Sequence, residues 1–245
     1  MSSISIVYSA KPADLPRPLP TKEEIENSRD ILSDQTARKV VGVVGQHFIV
    51  KYGRGLDFLE GENMLFVQKS TTVRVPRVYA LYEDSTDNKK YLVVERIAGK
   101  DLASEWDMLE HEQKEAISKK LRAYWDQLRN LRSPGLYCSL NKRPLPDSIF
   151  WGDSSSDSPP INRPFENEDQ LNAALGECND EVEGGFELIV IDWEFSGWYP
   201  SYWEYSRAVF ACGLWNDDWS HWVEKGLDPY LNEWTWMEML KELWS

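Results

Sequence analysis

Cysteine is scarce in this chain of 245 residues, and the three that occur, Cys138, Cys178 and Cys212, are widely spaced. An odd number without regular spacing argues against a disulfide framework or a cysteine zinc site, and is typical of free thiols in a reducing compartment. No apolar run approaches the roughly 20 residues that a membrane span needs. Residues 1–19 also lack the basic stretch and apolar core of a signal peptide. The sequence therefore predicts a cytoplasmic protein with no membrane partner.

Positive charge is also in short supply. Lys and Arg number 27 against 41 Asp and Glu, which gives a formal net charge of -14. A surface this acidic repels phosphate backbones, so we do not expect a nucleic acid partner. Tryptophan, in contrast, is abundant, with 12 residues that fall mostly in the second half, and such large aromatic side chains indicate core packing. The length allows one large domain or two small lobes and leaves the oligomeric state unknown.

Residues 1–34 are predicted to form an N-terminal arm and a short helix. Four prolines and little periodicity in residues 1–20 indicate a loose arm. Thr21 and Glu24 have the spacing of a capping box, which predicts a helix that continues to about Leu32.

Residues 35–97 have the pattern of a β-rich lobe. Apolar runs joined by a turn predict an antiparallel hairpin, and an apolar spacing that suits a helix follows before two more strands. These elements are predicted at residues 39–44, 48–51, 56–68, 78–82 and 91–94.

Residues 98–245 are predicted to form a mainly helical lobe. An apolar stripe runs along Glu112–Arg132 and predicts a long helix. The strongest strand signal is Phe186–Ile191, and the remaining elements are an irregular stretch at 133–164, a short helix at 169–175 and Trp-rich helices from Trp203. The predicted fold class is therefore α+β, with an antiparallel β-rich lobe before a mainly helical lobe and a ligand expected in the cleft between them.

Lys51 is the first candidate binding residue, because it ends an apolar strand. A strand end that faces a cleft can present one ammonium group to a phosphate, although an ordinary exposed strand end is the alternative. Glu60 lies nine residues later on the predicted helix, where its carboxylate could pair with Lys51. The alternatives are that Glu60 is a solvated helix charge, or that Glu62, on a different helix face, takes this place.

Asp192 is a candidate metal ligand, because it follows the predicted strand Phe186–Ile191. Carboxylates just past a buried strand commonly hold a metal or a substrate, and the hard oxygens of Asp suit Mg²⁺. The alternative is a cap or an ion pair. Glu194 is a weaker candidate on the same reasoning.

The order of these parts matters more than any one of them. A strand Lys, a helix Glu, a hinge strand, a long helix and a strand-end Asp follow one another as they do in kinases. In detail, the chain resembles fungal aminoglycoside phosphotransferase-like proteins, a kinase-like family, over about residues 35–235. The stretches that carry the resemblance are Val50–Gly53, Glu60–Val67, Val75–Tyr79, Tyr91–Ile97, Leu128–Arg132 and, most specifically, Ile191–Glu194 with Gly197–Pro200 and Tyr202–Tyr205.

This resemblance implies a two-lobed protein-kinase-like fold and an ATP-dependent phosphotransferase whose substrate is a hydroxylated small molecule. It implies that Lys51 touches the ATP phosphates and that Glu60 anchors Lys51. The backbone from Glu95 to Ile97 would meet adenine, and Asp192 would hold Mg²⁺ between the phosphates.

The catalytic loop of this family is missing from the sequence. Relatives carry His-Gly-Asp with an Asn five residues after the Asp, but no His of this chain has an Asp two residues after it. The loop should lie between Phe165 and Asp192. The resemblance therefore predicts that a contiguous piece just upstream of Val182 is missing, and we expect the helical lobe to be truncated there. Either the chain is a degenerate member that has repacked, or the sequence comes from an incomplete gene model that lacks an exon.

No catalytic residue is identified as a result. Gly152-Asp153 is a poor substitute for the catalytic loop because it lies in a Ser/Pro-rich loop. Asp180 and Glu181 lie near the point where the piece is missing and could replace its carboxylate, but no further feature of the sequence supports that role. Three hypotheses follow: a phosphotransferase impaired by the missing loop, a non-catalytic nucleotide- or metabolite-binding pseudokinase, and a kinase-fold accessory enzyme of a fungal secondary-metabolite pathway.

Overall fold

The structure, a computed structural model, describes residues 4–35, 38–43, 47–146, 187–212 and 218–236. The sheet that these residues form has six strands in the order β1-β5-β6-β4-β3-β2, and every neighbouring pair is antiparallel. In chain order the strands are β1 (Ile4–Ser9), β2 (Asp30–Gln35), β3 (Arg38–Val43), β4 (Phe48–Gly53), β5 (Val78–Asp84) and β6 (Lys89–Glu95).

An antiparallel sheet is combined with helices that mostly follow it along the chain, which confirms the α+β class. They are α1 (Lys22–Glu26), α2 (Leu59–Ser70), α3 (Leu102–Glu105), α4 (His111–Arg129), α5 (Trp203–Cys212) and α6 (Trp219–Gly226). Residues 231–236 are also helical, and a 3-10 turn spans Trp193–Phe195. Within the described ranges, no helix combines the length and the apolar character needed to cross a membrane.

The chain divides into two compact units. Unit 1 comprises Met1–Lys69, Arg74–Gly99 and Ile189–Glu194, and unit 2 comprises Ser70–Val73, Lys100–Leu188 and Phe195–Ser245. Unit 1 therefore holds the sheet, α1 and nearly all of α2, whereas unit 2 holds α3 to α6. The kinase-like arrangement of two lobes and the truncation of the second lobe stay predictions.

Unit 1 has a core on each face of its sheet. Buried side chains alternate along β4, which pairs with both β3 and β6. One face packs against Ile25 of α1, with Phe48, Val50 and Tyr52 among its members. On the other face, Leu81 and Leu92 approach Gly61 of α2 so closely that a Cβ at Gly61 would lie 2.5 Å and 3.1 Å from their methyl groups.

The side of the sheet on which Lys51 lies follows from the strand register. Lys51 is paired directly with Leu92 across β4 and β6, and directly paired residues project from the same face. Lys51 therefore points to the face that α2 covers, and the alternation of β4 sends its neighbours to the opposite core.

The N-terminal region differs most from the sequence-based expectation. The capping box is confirmed, since Thr21 Oγ1 accepts the N–H of Glu24 and the Glu24 carboxylate accepts the N–H of Thr21. The helix ends at Glu26 rather than near Leu32, however, and Asp30–Gln35 forms β2. The predicted loose arm is also wrong, because Ile4–Ser9 pairs with β5. Both errors concern edge strands, whose conformation depends on pairing: β1 pairs with the distant β5, and β2 pairs with β3, which follows it directly.

The strand predicted at Phe186–Ile191 is wrong for its described part. No strand is assigned to residues 187–191, and Ile191 is 58% exposed. Val190 donates its N–H to the Arg74 carbonyl at 3.0 Å, but no neighbouring strand of the described chain extends this bond into a ladder. The short helix predicted at 169–175 lies outside the described residues.

The other predicted elements are confirmed with boundary shifts of a few residues, namely the β3–β4 hairpin, α2, β5, β6 and α4. In unit 2, Trp106 and Trp222 are each 2% exposed. Asp218 accepts hydrogen bonds from both indole N–H groups, at 2.8 Å and 2.9 Å. The core role predicted for tryptophan is thus confirmed for these two side chains, and Cys138 is a free, buried thiol as expected.

Candidate functional site

Lys51 lies at the centre of a charged cluster on unit 1. Its Nζ donates a hydrogen bond of 2.7 Å to Glu60 Oε1 on α2 and one of 2.6 Å to Asp192 Oδ1. The Lys51 side chain is only 12% exposed. The structure thus brings together the three residues that the sequence singled out, although 141 positions separate Lys51 from Asp192.

Glu60 is the buried partner of this pair. Its side chain is 5% exposed, and its second oxygen, Oε2, accepts no hydrogen bond from the described residues. Asp57 helps to place it, because its carboxylate accepts the N–H of Leu59 at 2.7 Å where α2 begins. Glu60 rather than Glu62 therefore pairs with Lys51, and its burial leaves it to hold the lysine rather than to reach a ligand.

Asp192 is the exposed partner. Its side chain is 65% exposed, and its backbone is left-handed, with φ of 59°. A non-glycine residue in this conformation is uncommon, and Asp is among the residues that adopt it most readily. The exposed carboxylate is open to an ion or ligand on the side away from Lys51.

The short segment around Asp192 is fixed to unit 1 by its own contacts. Trp193 is 6% exposed, and its indole N–H donates to the Val190 carbonyl at 2.9 Å. Asn63, three residues after Glu60 on α2, is buried and donates from Nδ2 to the Trp193 carbonyl at 2.9 Å. The helix that carries Glu60 therefore also orients the peptide that follows Asp192.

A second ion pair adjoins the first. Arg38, at the start of β3, donates from Nη1 to Glu194 Oε2. Three carboxylates and two cationic side chains thus share this part of unit 1 and leave it with one excess negative charge. Such an excess favours the approach of a cation and opposes that of an uncomplexed anion.

The pKa shifts follow from burial and from this crowding. Burial alone would lower the pKa of Lys51, but the carboxylates of Glu60 and Asp192 outweigh it and raise the pKa overall. Burial raises the pKa of Glu60, against the opposing effect of Lys51, while the charges of Asp192 and Glu194 raise it further. The hydrogen bond to Glu194 raises the pKa of Arg38. Lys51 and Arg38 are therefore cationic at neutral pH.

The backbone of Glu95 and Ile97 is expected to meet adenine, and the partners of Glu95 lie outside the Lys51 cluster. The Glu95 carboxylate forms a two-pronged ion pair with Arg74, at 2.8 Å and 2.9 Å, and accepts the N–H of Arg77 at 3.1 Å. The N–H of Glu95 bonds to the Arg77 carbonyl. Nothing in these contacts tests adenine binding, so that role of residues 95–97 stays a prediction.

The donors around Lys51 suit a magnesium–phosphate group better than a bare metal ion. No cluster of three or more His, Cys, Asp or Glu side chains able to hold a metal occurs in the part of the chain that the structure describes. Mg²⁺ at nucleotide sites is typically bound by one or two carboxylates together with phosphates and water. One exposed carboxylate, Asp192, beside a fixed ammonium, Lys51, meets that requirement.

Two contributors to the site were missed by sequence reasoning. Arg38 sits at the end of a strand that was predicted to start one residue later, and Asn63 is one polar residue among several on α2. Only Asn63 could have been found from the sequence, because it lies about one helical turn after Glu60 and therefore shares the same face of the helix. The expected catalytic-loop region, with Gly152-Asp153, Asp180 and Glu181, lies outside the described residues.

Neither a protein-family model nor a curated protein matches the chain. Among solved structures, the chain is similar to the aminoglycoside phosphotransferase APH(2")-IIa in its ternary complex with streptomycin and ATP, with 16% sequence identity and a TM-score of 0.37. The match covers 46% of this chain and 38% of that chain. It thus spans well under half of that protein, and a similarity of this size assigns no activity.

Proposed function

We propose that unit 1 binds a magnesium–nucleoside triphosphate, with ATP as the expected nucleotide, as the nucleotide half of a kinase-like small-molecule phosphotransferase. The observation that carries the proposal is that Lys51 Nζ is held 2.7 Å from a buried carboxylate and 2.6 Å from an exposed one. Kinases need a strand Lys paired with a helix Glu, and an Asp that binds Mg²⁺, to place the phosphates for transfer.

Each residue of the cluster has a separate task under this proposal. Glu60, buried and without access to a ligand, keeps the Lys51 ammonium on the α2 side of the sheet. Lys51 donates hydrogen bonds to phosphate oxygens, and the exposed Asp192 carboxylate binds the magnesium ion. When bound, Mg²⁺ would neutralise part of the negative charge of the phosphates.

The excess negative charge of the cluster makes the metal necessary. A nucleoside triphosphate without a divalent cation would meet two cationic side chains, Lys51 and Arg38, against three carboxylates. The net repulsion opposes its binding. Binding should therefore depend on Mg²⁺ and disappear when the metal is chelated.

Phosphoryl transfer to a hydroxylated small molecule is expected to be slow. The sequence carries no His-x-Asp motif, and loss of a general base typically lowers a rate about 10²- to 10⁴-fold. Nucleotide binding needs only groups that the Lys51 cluster holds, so binding without efficient turnover is the activity that this site supports best.

Thermal denaturation with ATP and MgCl₂ tests the proposal. A ligand at 100 times its dissociation constant stabilises by about 2.7 kcal/mol, so saturating nucleotide should raise the melting temperature clearly. Lys51→Met and Asp192→Asn should remove the rise. The matched control is Lys119→Met, which breaks a surface ion pair with Glu115 on α4 and should leave the rise intact.

Two results would contradict the proposal. One is a wild-type melting temperature that does not respond to ATP and MgCl₂, and the other is an equal response in wild type, Lys51→Met and Asp192→Asn. Release of phosphate in the presence of hydroxylated metabolites, measured on the same preparations, separates binding from turnover.

A further inference from the structure

Arg38 is a second cationic side chain on the face of the sheet that carries Lys51. Val40 of β3 is paired directly with Lys51 of β4, so these two residues project from the same face. Arg38 precedes Val40 by two positions on β3, and the alternation of a strand returns its side chain to that face. Diagonal neighbours of this kind lie about 7–8 Å apart, within reach of long side chains. Arg38 and Lys51 can therefore serve one ligand.

Both cations pair with one short segment, on either side of the buried Trp193. Lys51 donates to Asp192, and Arg38 donates through Nη1 to Glu194. The second pair keeps contact with solvent on both sides, since the side chains of Arg38 and Glu194 are 23% and 28% exposed. Ion pairs that water can reach contribute little to stability. Arg38 can therefore leave Glu194 for another anion at small cost.

The register also fixes the order of Lys51 and Arg38 along the sheet. Phe48 is paired with Glu95, where the segment expected to meet adenine begins. Lys51 lies three positions beyond Phe48 on β4, and the register of β3 continued by one pair sets Arg38 beside Gly53, five positions beyond. At about 3.3 Å per residue, these positions are roughly 10 Å and 17 Å from the expected adenine end. A nucleotide in that orientation reaches Lys51 with its inner phosphates and Arg38 with its terminal phosphate.

We propose that Arg38 binds the terminal phosphate and thereby selects a nucleoside triphosphate over a diphosphate, a role that rests on the nucleotide site proposed above. Without nucleotide, Glu194 holds Arg38. When the triphosphate binds, the guanidinium group leaves Glu194 for the phosphate oxygens, whose arrangement suits its planar fork of N–H donors. A diphosphate ends at the phosphates that Lys51 contacts, so it leaves Arg38 with Glu194.

Isothermal titration calorimetry with ATP and with ADP, each in excess MgCl₂, measures this selection. Arg38→Gln should weaken ATP binding about tenfold or more, because a charge-assisted hydrogen bond to the terminal phosphate is lost. The same variant should leave the affinity for ADP nearly unchanged. Arg38→Lys keeps the charge but lacks the planar fork, so its affinity for ATP should lie between those of wild type and Arg38→Gln.

Lys39→Gln is the matched control for these variants. It removes one positive charge at the neighbouring position of β3, where the side chain points to the opposite face of the sheet and pairs with Asp34. The ratio of the affinities for ATP and ADP should therefore stay as in wild type. Circular dichroism and the melting temperature without nucleotide confirm that every variant is folded.

Glu194→Gln distinguishes a phosphate ligand from a structural ion pair. If Arg38 only holds residues 192–194 in place, loss of either partner has the same effect, and both variants weaken ATP and ADP alike. Under the proposal, Glu194→Gln releases Arg38 and removes a negative charge that repels the phosphates. The affinity for ATP should therefore rise several-fold in Glu194→Gln, whereas it falls in Arg38→Gln.

The outcomes separate the role of Arg38 from the nucleotide site itself. An equal loss of affinity for ATP and ADP in Arg38→Gln overturns the role of Arg38 and leaves the Lys51 site standing. A fall in ATP affinity in Glu194→Gln, matching that in Arg38→Gln, does the same. Wild-type protein that binds neither nucleotide contradicts the Lys51 site, and the role of Arg38 with it.

Discussion

At the scale of single residues, the site depends on one lysine shared by two carboxylates in very different surroundings. Glu60 is 5% exposed and Asp192 is 65% exposed. An ion pair that includes a buried carboxylate costs desolvation, and removal of one partner leaves the other charge uncompensated. The pair is therefore expected to contribute more to the position of Lys51 than to the stability of unit 1.

The pH dependence of stability should reveal the burial of Glu60. Because burial raises its pKa above the ordinary 4.5, Glu60 binds its proton more tightly in the folded than in the unfolded chain. Its contribution to the free energy of unfolding is complete below pH 4.5 and is lost as the pH rises through the folded pKa. Urea unfolding of wild type and Glu60→Gln at a series of pH values should show the difference between them fall as the pH rises.

Glu95 supplies the opposite control for that experiment. Burial would raise its pKa, but hydrogen bonds from Arg74 and from the N–H of Arg77 outweigh this and lower the pKa overall. Its contribution is therefore present above pH 4.5 and is lost as the pH falls through the folded pKa. The burial argument would be contradicted if the difference in the free energy of unfolding between wild type and variant changed with pH in the same direction for Glu60→Gln and Glu95→Gln.

Two substitutions of Asp192 separate the energetic cost of its left-handed backbone from the role of its carboxylate in binding. Asp192→Gly suits a φ of 59°, whereas Asp192→Ala keeps the Cβ that disfavours this conformation and loses the carboxylate. We expect Asp192→Ala to be less stable than Asp192→Gly by about 1 kcal/mol in chemical denaturation. Both variants should lose the stabilisation by ATP and MgCl₂.

Asn88 is a suitable comparison, because it has a φ of 56° and plays no part in the Lys51 cluster. Asn88→Ala should be less stable than Asn88→Gly by a similar amount while the nucleotide response persists. Equal stability of Asp192→Ala and Asp192→Gly would mean that this backbone conformation costs nothing at the site.

Sequence patterns and their order singled out the three residues of the cluster. Lys51 ends the predicted strand 48–51, Glu60 lies on the predicted helix 56–68, and Asp192 follows the predicted strand Phe186–Ile191. The structure extends β4 to Gly53 and forms no strand at 187–191. Arg38 was not predictable in this way, because its partner Glu194 is 156 positions away. A contact between distant segments leaves no periodic trace in the sequence.

At the scale of elements, the position of Glu60 depends on the close approach of α2 to the sheet. A Cβ at Gly61 would lie 2.5 Å from a Leu81 methyl group and 3.1 Å from one of Leu92. Glycine normally costs a helix about 1 kcal/mol relative to alanine, so its presence in α2 is explained by the space that the helix needs. The residue next to Glu60 thus sets the distance between helix and sheet.

Gly61→Ala should therefore destabilise the protein by about 1–3 kcal/mol, despite the better helix propensity of alanine, because overpacking shifts α2. It should also weaken the nucleotide response, since Glu60 moves with the helix. In a Leu81→Val background, the cost measured by chemical denaturation should be smaller. Gly99→Ala is the control, because the nearest atom to its Cβ would be 3.9 Å away, and it should be tolerated.

The sequence predicted the central elements of unit 1 better than the outer ones. β4, β5, β6 and α2 follow from apolar periodicity and from turn residues between them. β1 and β2 were missed because an edge strand has a neighbour on one side only, so both of its faces can stay exposed, as the exposed β1 shows. The segment 187–191 was predicted as a strand because it is apolar, but no strand among the described residues lies beside it to form a ladder.

At the scale of the whole molecule, the distribution of tryptophan divides the chain as the two compact units do. No tryptophan precedes Trp106, and Trp193 is the single one within the ranges of unit 1. The core of unit 1 instead stacks tyrosines across its strands, with Tyr91 between Tyr52 and Tyr82 at centroid distances of 5.6 Å and 4.8 Å. Tryptophan emission is therefore dominated by unit 2.

Hydrogen exchange can locate the effect of a nucleotide within this division. If Lys51 and Asp192 bind magnesium–ATP, the ligand stabilises the folded form of the elements that hold them, and local opening of those elements becomes rarer. We expect ATP and MgCl₂ to slow amide exchange most strongly in peptides from β4, α2 and residues 189–194, and much less in α4 and α6. ATP with a chelator should protect none of them, because the cluster then repels the triphosphate. Protection confined to α4 and α6 would place the nucleotide on unit 2 and contradict a site built on Lys51. In Lys51→Met, adding ATP and MgCl₂ should not slow exchange in β4 and α2 relative to the same variant without nucleotide.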